Sequence, residues 1–222
     1  MVSHFAFDVA HMLAGLIVLA SLTMLYQDRL TALINVLAGQ SLLLAASVAW
    51  QGHLQGSAEL YLTAALALGF KAIAIPWALR ALVIRLGLHR EIETVAGIGP
   101  TMLAGMGLIA LSMEVMLPVT GAVDPVARQD IALALSVVLI GLLIMVTRRN
   151  AASQVVGFLS IDNGISLAAT GARGMPLVVE ISVAFSVLVA CIVIGIFLFR
   201  IRERFDTVDL GALDASRGER AR

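Results

Sequence analysis

The stretch from Thr147 to Gly171 reads Thr-Arg-Arg-Asn, then Ala-Ala-Ser-Gln-Val-Val-Gly, then Phe-Leu-Ser-Ile-Asp-Asn-Gly-Ile-Ser-Leu-Ala-Ala-Thr-Gly. A basic pair, Arg148 and Arg149, stands at the mouth of an apolar segment, and Asp162 and Asn163 sit deep inside it. Asp162 lies 13 residues beyond Arg149, about 20 Å along a helix axis. A carboxylate in the middle of a membrane span costs roughly 3 kcal/mol or more. The segment is continuous and apolar, whereas a barrel strand would alternate polar and apolar residues over about ten positions. It therefore reads as a membrane helix carrying a costly charge.

The rest of the chain repeats the apolar pattern. Of 222 residues, 60% are hydrophobic and 14% charged, outside the range of soluble domains. A bilayer core about 30 Å thick takes about 20 apolar residues per helix. Seven such segments are expected, at residues 5–26, 30–50, 58–84, 95–117, 129–147, 150–171 and 176–200. The fold class is all-α, a polytopic transmembrane helical protein. Twelve of the fourteen arginines fall on one side when the N-terminus is outside and the C-terminus is in the cytoplasm; Arg128 and Arg173 fall on the other. Excess basic charge marks the inner side. The regions are 1–94 with three helices, 95–128 with a fourth helix and outer loop, 129–200 with three more, and a polar tail, 201–222. The N-terminus lacks the basic flank and cleavage site of a signal peptide, so the first segment reads as a retained helix. Residues 87–94 and 118–128 are the longest loops and too short for an extramembrane domain. Soluble chemistry must come from another polypeptide.

Few polar groups remain as candidates. Asp162 fits a protonatable relay site, or a protonated acid bonded to a neighbouring helix. Asn163 fits a water ligand or interhelical glue. Ser153, Gly157, Gly164 and Ala168 form a small-residue stripe for close helix approach, on a different face from Asp162. Glu180 opens the last helix and reads as a second relay station or an acid favoured by its helix dipole. Lys71 lies about 13 Å from Arg80 along the third helix, too deep to snorkel comfortably, and fits a proton-exchanging amine or the partner of a carboxylate. Pro76 follows it and frees a backbone carbonyl one turn earlier. Glu114 lies four residues before Pro118, near the outer surface. His4, Asp8 and His11 share a helix face at a spacing that suits a metal, or an interfacial polar patch. Cys191 reads as a small buried hydrophobe. No cofactor is expected: no cysteine cluster, phosphate loop, catalytic triad or nucleic-acid surface is present.

Arg148-Arg149-Asn150, then Gly157 and Asn163, then a short outer turn before a last helix, resembles subunit K of the respiratory NADH:quinone dehydrogenase family. The small subunits of cation antiporters look similar. With the segment around Lys71, Pro76 and Trp77 and with His89-Arg90-Glu91, the whole chain resembles hydrogenase-4 component E. The resemblance implies a membrane-arm subunit of a group 4 hydrogenase or complex I-like assembly in a bacterial or archaeal cytoplasmic membrane, coupling electron transfer to proton or sodium translocation. Its partners would be antiporter-like and hydrogenase or dehydrogenase subunits and the lipid bilayer, with no nucleic acid. Subunit K carries two intramembrane glutamates. By position the first falls on Leu159, with Asp162 one turn later as its displaced equivalent; the second corresponds to Glu180, with Ser186 near the family acid's depth. The expected ion relay is Asp162, Glu180, Lys71 and Glu114, supported by Asn163, Arg148, Arg149 and Asn150. The alternatives are a structural spacer whose polar groups only join helices, and a free-standing small transporter.

Overall fold

A computed structural model describes the backbone of residues 2–85, 97–119 and 125–171, and side chains at 6–84, 97–116, 129–150 and 152–170. It is helical throughout, with no strand among the described residues. Helix α1 is Val2–Tyr26, α2 is Leu30–Gln55 and α3 is Ala58–Leu66; a π-helical segment, Ala67–Ala74, joins α3 to α4, Ile75–Arg85. Helices α5, Ile98–Val119, α6, Pro125–Thr147, and α7, Ala151–Gly171, complete it. Five spans are long and apolar enough to cross a membrane: Ala6–Tyr26, Leu30–Gln55, Ala58–Ile84, Ile98–Met116 and Gln129–Thr147. The six expected helices up to residue 171 thus all have counterparts; α7 is a helix of 21 residues whose polar positions keep it out of those five. The helix expected at 176–200, and with it Glu180, Ser186 and Cys191, lies outside the described residues, as do His89, Arg90, Glu91 and Arg173.

Local chemistry sets the helix ends. The helix expected at 30–50 continues to Gln55, and Gly56 ends it at φ 63°, its N–H donating to the Gly52 carbonyl; a left-handed glycine is the common helix stop. Gly97, at φ 72°, precedes α5. Pro125 opens α6 four residues before the expected start; proline suits a first helical position because that N–H has no helical partner. The third span is interrupted rather than simply kinked. Pro76 has no N–H, and in α register its ring would collide with the Ala72 carbonyl. The π turn just before it widens the register, and the Ile75 N–H reaches back to the Phe70 carbonyl. Such insertions recur at functional sites.

Helices α1, α2, α7 and α6 close into a four-helix ring, each packed on the next. The α3–π–α4 span leans on α2, and α5 leans on α6 and α1. Ile17, Met24, Leu33, Leu37, Leu44, Val137, Ile140, Ile144 and Val156 fill the ring's interior. At one end the Trp50 indole donates to the Ala6 carbonyl at 2.9 Å, tying α2 to α1.

The α6–α7 seam is built from glycine. A Cβ on Gly157 would lie 2.9 Å from the Gly141 carbonyl oxygen, and one on Gly164 would lie 3.0 Å from the Val138 nitrogen. Backbone touches backbone, as small residues permit in membrane bundles. The expected stripe therefore does pack a neighbour, and that neighbour is α6.

Candidate functional site

Helix α7 turns three faces to three neighbours. Gly157 and Gly164 meet α6, Asn163 points at α2, and Asp162 points at the π segment. The Lys71 ammonium lies 2.6 Å from Asp162 Oδ2, and both side chains are buried, 3% and 7% exposed. Lys71 Nζ also donates to Ser166 Oγ at 2.9 Å, while the Ser166 hydroxyl donates to the Asp162 carbonyl at 2.9 Å. Ser166, one turn beyond Asp162, thus grips both the lysine and the helix that carries the acid.

This seam differs in kind from the glycine seam. The π segment and α7 are not a closely packed pair of elements; the long lysine stem bridges them. A cavity of about 10 Å³ lies beside the pair, lined by Leu37, Ser41, Lys71, Ile75, Leu159, Asp162 and Asn163. That volume is close to the minimum for one water, and the lining supplies the polar partners a water needs.

From the cavity a hydrogen-bonded layer runs across the bundle. Asn163 Nδ2 donates to Gln40 Oε1 at 3.1 Å and to Ser41 Oγ at 3.0 Å. Gln40 Nε2 donates to Ser21 Oγ at 2.7 Å and to Ser160 Oγ at 3.0 Å, and the Ser21 hydroxyl donates to the Ile17 carbonyl at 3.0 Å. All of these side chains are buried. Gln40 lies ten residues into α2 and Asp162 eleven into α7, each about 15 Å from its helix start. The layer therefore lies about half-way along both helices.

The other expected residues take different places. Arg148 does not face solvent: it is 1% exposed, and its Nη2 donates to the Met24 and Leu25 carbonyls at 3.3 and 2.9 Å. It caps the C-terminal end of α1, where unpaired carbonyls and the helix dipole favour a cation. Burial lowers the pKa of its guanidinium and nearby Asp28 works against that shift; an arginine stays charged throughout the physiological range. Arg149 is exposed. Asn150 Oδ1 accepts the Ala152 N–H at 2.9 Å and caps α7. Glu114 lies on α5, exposed and away from the Lys71–Asp162 pair. His11 Nδ1 and Asp130 Oδ1 lie 3.1 Å apart and join α1 to α6. Among the described residues no group of three His, Cys, Asp or Glu could hold a metal, and the His4 side chain lies outside them.

Sequence reasoning named Lys71, Asp162 and Asn163 but missed Gln40, Ser41, Ser166 and Asp130. Gln40 had a usable signal, an amide followed by a serine at the centre of an apolar span. Asp130 had the weaker signal of a charge just inside one.

Over 202 residues, 90% of this chain and 92% of the relative, the sequence is 34% identical to the uncharacterized protein Rv0085 of Mycobacterium tuberculosis. The chain belongs to that protein's family. It is also 29% identical to hydrogenase-4 component E of Escherichia coli K12 over 213 residues, 95% of this chain and 98% of the relative, and equally to that of Shigella flexneri. It is thus a distant homologue of component E, and its apolar spans make it a multi-pass membrane protein. This fits a membrane subunit of a hydrogenase or complex I-like assembly. No family model matches the chain, and no solved structure matches it.

Proposed function

We propose that this chain is a non-catalytic membrane-arm subunit of a group 4 hydrogenase or complex I-like assembly, and that Lys71 and Asp162 are its ion-handling pair. The observation that carries the reading is the buried 2.6 Å contact beside a polar cavity, half-way along the span. A buried ion pair adds little net stability compared with a well-packed apolar substitute, so its presence in a membrane core argues for use. The metal and redox centres belong to partner subunits. The N-terminus lies outside and the C-terminus in the cytoplasm. Glu180, which the resemblance pairs with Asp162, is the second acid of the path.

The chemistry favours a proton over sodium. The carboxylate already faces an ammonium, which a sodium ion would have to displace. Transfer of a proton from Lys71 Nζ to Asp162 Oδ2 leaves a neutral amine and a neutral acid. Protonation of the amine from one side and loss of the acid proton to the other restores the pair, with one proton moved. Asn163 and Gln40 do not titrate; they hold the cavity polar.

Replacing Asp162 with Asn, a near-isostere that cannot ionise, tests this in the intact complex. The expected result is normal assembly and electron transfer with ion translocation lost. Unchanged translocation would sink the relay. The same amide network that frames the pair also supports a second reading, a structural spacer in which these bonds only fasten α2, the π segment and α7. That reading expects Asp162→Asn to impair assembly.

A further inference from the structure

Helix α5 stands apart from the other spans. Only 17% of its membrane window is buried, against 39% or more in the other four. Its uncovered face runs through Leu103, Met106, Gly107, Ala110, Leu111 and Glu114, at the three- and four-residue spacing of one side of a helix. Leu103 is 69% exposed and Leu111 51%. An apolar face of this kind suits lipid, except for Glu114.

Glu114 is the one charged residue of the Ile98–Met116 span, and it makes no hydrogen bond or ion pair among the described residues. A helical side chain leans toward the N-terminal end of its helix. Exposed Asp8 and Glu59 sit near the N-terminal ends of α1 and α3, where that lean carries the carboxylate out of the membrane. Glu114 is five residues from the C-terminal end of α5, where the same lean carries it deeper. Its stem is too short to turn back and snorkel as a lysine or arginine does. Against lipid tails such a carboxylate is costly.

We propose that the free face of α5 docks a transmembrane helix of another subunit, one that supplies a cation or hydrogen-bond donor to Glu114. The inference rests on the reading of this chain as a subunit of a larger assembly. Charge argues against the other occupants. A second copy about a two-fold axis along the membrane normal would set Glu114 against Glu114 at one depth. The helix expected at 176–200 of this chain has Arg200 as its one basic residue, at the inner end and opposite to Glu114, which leaves it only the hydroxyls of Ser182 and Ser186 to offer.

The test uses the intact membrane-bound complex and two independent variants. A Cβ on Gly107 would meet nothing within 4 Å, so Gly107→Leu spares the chain's own packing and obstructs only a neighbour. Gly107→Leu and Glu114→Lys are each expected to lower recovery of the complex on this chain at least tenfold, with its level in the membrane unchanged. Glu114→Gln, which can still hydrogen-bond, should retain most of it. A photo-crosslinker at Leu103 or Leu111 should join this chain to another membrane polypeptide of the complex. Crosslinks to lipid alone, or to a second copy, would overturn the proposal, as would full recovery with Gly107→Leu. Because these readouts do not involve ion movement, a silent Asp162→Asn variant would remove the relay and leave this interface standing.

Discussion

Helix α7 is held by two opposite methods. Toward α6 it is held by the absence of side chains: Gly141, Gly157 and Gly164 let two backbones touch over the length of the seam. Toward the π segment it is held by the reach of one side chain, Lys71, across a gap that also contains a cavity. The first seam is dry and continuous, and a displacement of either helix would separate many atoms at once. The second is polar and discontinuous, held by a few bonds of one lysine. The proposed relay would use both kinds of contact on one helix, one to keep the bundle assembled and one to pass a proton.

The contrast breaks most sharply at Lys71. Lys71→Met leaves the Asp162 carboxylate buried without its ammonium, a loss expected to cost about 3–5 kcal/mol. The double variant Lys71→Met with Asp162→Asn removes both charges and should recover most of that loss. Unfolding of the four proteins in detergent, arranged as a double-mutant cycle, measures the coupling. Additive effects would mean that the two side chains do not interact in the folded protein.

At the glycine seam the expected effect is somewhat smaller and different in character. Gly157→Val places branched carbons against the Gly141 carbonyl and the side chains of Met145 and Ile144. Overpacking of this kind costs about 1–3 kcal/mol, occasionally more. Unlike the lysine variant, no second substitution at the polar seam should rescue it. Rescue by Asp162→Asn would show that the two faces of α7 are not independent.

How much of this was legible beforehand follows from the same contrast. The helix positions up to residue 171 were readable because the spans are long, apolar and bounded by polar or glycine-containing breaks. The glycine stripe was readable because its spacing lies within one helix. Lys71 and Asp162 were each conspicuous as charges in apolar runs, but their pairing was not, because 91 residues separate them in the chain. The pairing also depends on a π turn that sets where Lys71 points, and Pro76 announced a disturbance there without its form. Arg148 stands at the end of its span as expected, but its contacts were not readable. An arginine at the end of an apolar run normally marks the membrane surface, and only the position of α1 reveals the Met24 and Leu25 carbonyls that it binds. Gln40 was overlooked because a single amide carries no charge, although its cost in an apolar span demands partners.

The smallest expected effect separates holding the pair from merely surrounding it. Ser166 accepts a bond from Lys71 Nζ and donates one to the Asp162 carbonyl. Ser166→Ala removes both without adding bulk, and one hydrogen bond to a charged group is worth about 1.5–3 kcal/mol while its neutral counterpart is worth about 1. The carbonyl keeps its helical partner and the Lys71–Asp162 contact itself remains, so a loss near 1–2 kcal/mol is expected. If Ser166 positions the lysine for proton exchange, the variant should lower the rate of ion translocation more than it lowers stability, and Ser166→Thr should restore the rate. A rate that falls only in step with the amount of folded complex would make Ser166 a fastener like the glycine seam. The polar side of α7 would then be static as well.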